Sequence, residues 1–133
     1  MNENDDNRLN QISKMVIGSA FQVSNILGIG FLEKVYENAL AHEIRKNGLR
    51  ADQQSPIPVF YDGILVGDYV ADLLVENRLL VELKVVKSIE LIHHAQCINY
   101  LKATGLELCL LLNFGKTRVE VKRIALSDPF KSA

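Results

Sequence analysis

LLVELKVV, residues 79–86, holds six aliphatic residues and two charged ones. Such a run predicts a strand buried in a sheet, yet Glu82 and Lys84 stand in its middle. Side chains alternate faces along a strand, so both charges share one face while Val81, Leu83 and Val85 take the other. Upstream, ILVGDYVADLLVEN (residues 64–77) contains a further acid, Asp72, set between Ala71 and Leu73. If the two segments form a hairpin, loop length fixes their register. A two-residue loop at Asn77 and Arg78 pairs position 72 with 83 and separates Asp72 from Glu82. A three-residue loop centred on Asn77, a residue that tolerates left-handed backbone, pairs 72 with 82 and sets their Cβ atoms about 4.5–5.5 Å apart. Two anions that close repel unless a cation or a shared proton intervenes. A hard divalent ion with oxygen ligands, Mg²⁺ or Mn²⁺, resolves the conflict. An E-x-K pair on the solvent face of an amphipathic strand is also a common and inert arrangement, so further features must decide.

Around this hairpin the chain reads as helices, strands, a helix and strands. Residues 8–26 carry Ile12, Met15, Val16, Ala20, Val23 and Ile26 at close to helical spacing. Gly28 and Gly30 interrupt it, and a second helix runs from about Phe31 to Asn47, ended by Gly48. Two β-rich stretches, 55–61 and 64–76, flank a YDG turn. Ser88 is the expected N-cap of a helix reaching Thr104, with Gly105 as its stop. ELCLLLNF and TRVEVKRIAL close the chain as a strand pair about Gly115 and Lys116. The expected fold is an α/β (α+β) sandwich, a small mixed β-sheet flanked by helices, in which the helix after LLVELKVV connects parallel strands. At 133 residues, 48 % of them hydrophobic, the chain has the length of one domain spanning 1–133, with 1–8 and 128–133 expected to be loose.

Charge excludes some roles. The net charge is −1, so no overall electrostatic grip on nucleic acid is expected. Residues 1–76 hold 6 Lys+Arg against 11 Asp+Glu, whereas 77–133 hold 9 against 5, which allows a basic face in the second half. Cys97 and Cys109 sit in apolar surroundings without metal-binding spacing and read as buried free thiols. No signal peptide or membrane-spanning run is seen, and the expected location is cytoplasmic.

Two further segments carry site candidates. In GFLEKVYENAL (residues 30–40), Glu33 and Tyr36 are three apart and share a helical face with Leu40, so Glu33 can reach the acidic pair; its alternative role is a first-turn acid complementing the helix dipole. In IELIHHAQCINYLKATG (residues 89–105), Gln96 and Tyr100 are four apart, sharing a face with Ile89 and His93, while Leu91, Ala95, Ile98 and Leu101 are expected to pack on the sheet. His93 and His94 diverge by about 100° around the helix and do not read as a zinc pair.

Asp72 followed by Glu82-x-Lys84 resembles the core of the PD-(D/E)XK nuclease superfamily, whose restriction-endonuclease-like fold the resemblance implies. Glu33, with Gln96 and Tyr100 as QxxxY, resembles the extended set of its helicase-linked exonuclease branch. Gly30, Glu33 and Tyr36 spell GxxExxY, the name of a bacterial and archaeal family placed in that superfamily. The resemblance runs from about residue 8 to 125, and it departs from the superfamily pattern where Ala71 stands for the proline. It implies metal-dependent hydrolysis of nucleic acid, with DNA the expected substrate. Asp72, Glu82 and the Leu83 carbonyl would hold Mg²⁺ (or Mn²⁺), and Glu33 would join that shell, support a second ion or hold a water. Lys84 would orient the attacking water and stabilise transition-state charge; Gln96 and Tyr100 would position water or phosphate. Lys87, Arg118, Lys122 and Arg123 read first as solvated surface charges and second as candidate phosphate contacts. Two other readings stay open: a non-catalytic module binding nucleic acid or a protein on the same fold, and a phosphoesterase acting on a smaller substrate. An exposed sheet edge also leaves a homodimer or a protein partner open.

Overall fold

Asn77 adopts the left-handed backbone the three-residue loop requires (φ 55°), and Glu76 before it does the same (φ 53°). The loop is closed by the Arg78 amide donating to the Val75 carbonyl at 3.0 Å. It joins β2 (Ile64–Val75) to β3 (Leu79–Lys84), with Leu73 opposite Val81 and Val75 opposite Leu79. That register is the one in which position 72 faces 82.

A computed structural model describes residues 3–126 of the chain. Its order is α1 (Glu3–Leu27), α2 (Glu33–Lys46), β1 (Ala51–Tyr61), β2, β3, α3 (Leu91–Thr104), β4 (Leu108–Asn113) and β5 (Glu120–Ala125). The five strands form one sheet in sequence order. Only β3 and β4 run parallel, joined across the sheet by α3; the other neighbours are antiparallel. This is the expected mixed sheet with flanking helices, a restriction-endonuclease-like α+β fold. Asp62 and Gly63, both at positive φ, make the two-residue turn between β1 and β2, a geometry that matches the right-handed twist of the flanking strands.

Each sheet face has its own core. Leu73, Val75, Leu79, Val81, Leu83, Leu110 and Leu112 meet Ile12, Val16, Ala20, Tyr36, Leu40 and Ile44 of α1 and α2. On the other face, Leu80, Cys109, Leu111 and Ile124 meet Cys97, Ile98, Tyr100 and Leu101 of α3. Both faces of β3 and β4 are therefore covered, which is why these strands read as near-continuous aliphatic runs. Cys97 and Cys109 are buried free thiols, as expected.

Three expectations are corrected. The first eight residues were expected to be loose, but α1 starts at Glu3. Arg8 pairs with Glu76 at 3.2 Å and Arg78 donates to the Asp5 carbonyl at 3.0 Å, so the loop between β2 and β3 anchors the first turns of the helix. Ser88 is not an N-cap: α3 begins at Leu91 after Glu90, whose amide donates to His93 Nδ1 at 3.0 Å. Leu91 does not pack on the sheet, being 57 % exposed, whereas Cys97 and Tyr100 are buried there. Apolar residues lie all round this helix, so its sequence does not fix its rotation. The segment 128–133 lies outside the described residues, as do residues 1 and 2.

Candidate active site at a fork in the sheet

β3 stays paired with β4 along its whole length, from Leu79 with Leu108 to Lys84 with Asn113. Its ladder with β2 ends at Leu73 and Val81. Beyond that point β2 leaves β3, and the sheet opens into a fork. The cause lies partly in β1, where Gln54 sits in the left-handed region (φ 53°) opposite Asp72 in the register of the flanking pairs. The β1–β2 ribbon changes face there. Leu73 and Val75 belong to the α1/α2 core, but Ala71 and Tyr69, at the same parity, turn towards α3.

At the fork, carboxylates take over the work of the missing ladder. Asp72 Oδ2 accepts a hydrogen bond from the Leu83 amide at 2.8 Å, and Glu82 Oε1 accepts one from the Asp72 amide at 3.0 Å. The two acids thus stand on facing strands, each holding the other strand's backbone. A residue's N–H and C=O point to the same side of its strand. The Leu83 carbonyl therefore points into the fork with its amide, while Lys84, one position on, directs its carbonyl to Phe114 beyond β4.

Burial makes this arrangement electrostatically unstable. Glu82 is 3 % exposed, and its carboxyl is pushed from 4.5 up to about 9, first by burial and then by repulsion from Asp72. The Asp72 carboxyl is also raised, mainly by burial, against the opposing pull of the Leu83 amide. Glu33, at the start of α2, is raised by burial and by Asp72 and lowered by Lys84, so it faces the same site. Lys84 makes no ion pair with a carboxylate among the described residues, although its charge acts on all three acids. Gln96 Nε2 donates to Tyr100 Oη at 3.0 Å. The Tyr100 hydroxyl is raised first by burial, with Glu82 and Asp72 adding to it.

GxxExxY acquires a structural meaning. Gly30 has φ 109°, a conformation other residues rarely adopt. Tyr36 is fully buried, stacks on Phe114 at 4.8 Å, donates through its hydroxyl to the Gly28 carbonyl at 2.7 Å and accepts from the Phe31 amide at 3.3 Å. Glycine shapes the loop between α1 and α2 and tyrosine clamps it, which leaves Glu33 held towards the fork.

Two site-lining residues escaped the sequence reading. Glu37, 2 % exposed, takes hydrogen bonds from Gln53 at 2.7 Å and Gln54 at 2.8 Å and pairs with Lys34 at 2.9 Å. Gln54 also reaches Asp72 Oδ1 at 3.4 Å, tying α2, β1 and the fork together. Glu37 lies four residues after Glu33, on the same helical face, a spacing that was available as a signal. The proposed phosphate contacts divide. Arg123 is held by Ser13 and Asn10 at 2.8 and 2.7 Å, and Arg118 lies over the Phe21 ring at 5.3 Å, so both are engaged with α1. Lys87 and Lys122 are exposed.

An oxygen-only donor set, two facing carboxylates and a backbone carbonyl, suits a hard divalent ion that retains several waters. The raised Glu82 carboxyl fits the same ligand, because an added cation would allow both acids to ionise. Among the described residues, no group of three or more His, Cys, Asp or Glu side chains gathers around one point, so waters and backbone would complete any such shell.

The five-stranded mixed sheet with its flanking helices defines a restriction-endonuclease-like α+β scaffold, and the fork at Asp72 and Glu82 lies within it. The model of the PD-(D/E)XK nuclease superfamily matches residues 10–124, and the chain belongs to that superfamily. Nucleases of that superfamily generally use divalent metals. No curated protein matches the chain. A solved structure titled "Crystal structure of SSO0001" is similar in fold, with a TM-score of 0.54 and 18 % identity, over 91 % of this chain and 61 % of that one. The chain thus spans less than two thirds of that structure's length. Among the described residues no helix is long and apolar enough to cross a membrane.

Proposed function

We propose that the chain, acting as one domain, is a Mg²⁺- or Mn²⁺-dependent nuclease of the GxxExxY family, acting on DNA in the cytoplasm. The observation that carries this reading is the fork: two carboxylates face each other across an opened strand pair, one of them pushed up to about 9 by burial and by its partner, beside a lysine that makes no ion pair among the described residues. When bound there, a divalent ion supplies a Lewis acid that lowers the pKa of water and neutralises charge on a phosphodiester.

Asp72, Glu82 and the Leu83 carbonyl would hold the ion, and Glu33 would join them directly or through a water. Lys84, on the same strand face as Glu82, orients the attacking water in line with the scissile bond and stabilises the charge that develops on the phosphoryl oxygens. Gln96 and Tyr100 position the phosphate from α3. Gln54, held by Glu37, acts through Asp72 and helps to fix its direction.

The test is a calorimetric titration with Mn²⁺ and Mg²⁺ of the wild type, Asp72→Ala and Glu82→Ala, followed by nucleic-acid cleavage with Lys84→Ala. Saturable binding is expected in the wild type and lost in both acid variants. Lys84→Ala is expected to keep metal binding and lose cleavage. Absence of binding at millimolar ion, or full activity in Lys84→Ala, overturns the reading.

A further inference from the structure

Past the fork, the β1–β2 arm and α3 form the two walls of an open cleft of about 970 Å³, with Lys84 of β3 in its lining. The walls differ in chemistry. The arm presents Pro58, Val59, Phe60 and Tyr69; Phe60 is 61 % exposed and Tyr69 53 %. Between Arg50 and Arg78 the chain holds no Lys or Arg, and the arm carries Asp62 and Asp68. It offers aromatic surface and no cation. α3 contributes Ile92, Ala95 and Ala103 as well as Gln96, Asn99, Tyr100 and Lys102, so its wall is mixed and brings polar groups and the Lys102 cation that the arm lacks. The two meet where Tyr69 lies 6.0 Å from Tyr100, ring to ring, at a tilt of 48°.

Such a cleft fits a ligand that is planar and apolar on one side and anionic on the other. We infer that it binds unpaired nucleotides of a single strand, with bases against Tyr69 and Phe60 and the backbone along Lys102 and Asn99, delivering a phosphate to Lys84. This rests on the nuclease reading and narrows it. A duplex keeps its bases stacked inside and presents phosphates on its flanks, which the arm, acid-bearing and without cations, would not attract. Base stacking on aromatic rings is what binds single strands without sequence preference. The volume lies at the upper end of the usual range of about 300–1,000 Å³ for small-ligand pockets, and the cleft is open, so a strand rather than one nucleotide is its occupant.

The experiment measures equilibrium binding by fluorescence anisotropy with metal chelated, using a labelled single-stranded oligonucleotide, its duplex and a mononucleotide competitor. The proteins are wild type, Tyr69→Ala and Tyr69→Phe. Both variants sit at a largely exposed position, so folding is retained, and circular dichroism verifies this. The single strand is expected to bind more tightly than duplex or mononucleotide. Tyr69→Ala is expected to weaken it about 5- to 150-fold, with Tyr69→Phe close to wild type. If duplex binds as well as single strand and Tyr69→Ala alters neither, the cleft assignment falls while the nuclease reading stands. Competition by mononucleotide at the oligonucleotide's own affinity overturns the strand as occupant. If the wild type binds no nucleic acid with metal chelated or with Mg²⁺ restored, the nuclease reading falls too.

Discussion

Glu82→Gln should make the metal-free protein more stable. Glu82 is nearly fully buried, and its carboxyl rises from 4.5 to about 9 on folding. The folded state therefore binds a proton that the unfolded chain releases near pH 4.5. The favourable contribution is complete below that pH and is lost as pH rises towards 9, at about 1.4 kcal/mol per pH unit. By pH 7 the loss amounts to about 3 kcal/mol, a large share of the roughly 5–15 kcal/mol that holds a domain of this size together. Glutamine is neutral, has nearly the same shape and keeps an oxygen to accept the Asp72 amide. Urea denaturation of both proteins in chelator, from pH 4.5 to 9, should show curves that coincide at the acid end and diverge steadily above it, with the variant on top. Added Mn²⁺ should raise the wild type and leave the variant unmoved. A variant no more stable than wild type at pH 7–8, or a difference independent of pH, would refute the account of the fork as an electrostatically incomplete site.

Other substitutions probe the supports. Tyr36→Phe removes the hydroxyl that joins Gly28 to Phe31 and should lower stability by about 1–2 kcal/mol in the same denaturation assay. Gly115→Ala would drive a Cβ into the backbone of Val86 and should lower stability by about 1–3 kcal/mol, again by denaturation. Both thiols should resist a thiol-specific reagent at pH 8 in the native protein and react once it is unfolded, because Cys97 and Cys109 are buried and the Cys109 thiol is raised by its contact with Cys97 and by burial. Rapid native labelling of either would contradict the packing under α3.

The hairpin that carries Asp72 and Glu82 was legible in the sequence because strand alternation has a period of two and loop length is an integer. One of the two registers brought the acids together, and Asn77 favoured it. Glu33 and Lys84 were legible through a motif and a strand face respectively. The rotation of α3 was not, since Leu91, Ile92, Ile98 and Leu101 surround it and tertiary contacts alone select Cys97 and Tyr100 for burial. Gln54 could not be foreseen: glutamine has no special preference for left-handed backbone, and its conformation is imposed by hydrogen bonds to Glu37 and Asp72 that exist only in the fold. The start of α1 is not legible for a similar reason, because its anchor is a loop some 70 residues away.

The change of face at Gln54 and Asp72 divides the molecule into a part that must be conserved in shape and a part free to vary. β3, β4 and β5 with α1 and α2 close their core without the outer half of the arm. Pro56 and Pro58 lie in β1, the outermost strand, and neither has an amide proton to offer to a neighbouring strand. The turn at Asp62 and Gly63 is therefore a natural place to lengthen, shorten or exchange the arm, altering which substrates are gripped while the fork and its acids stay in place.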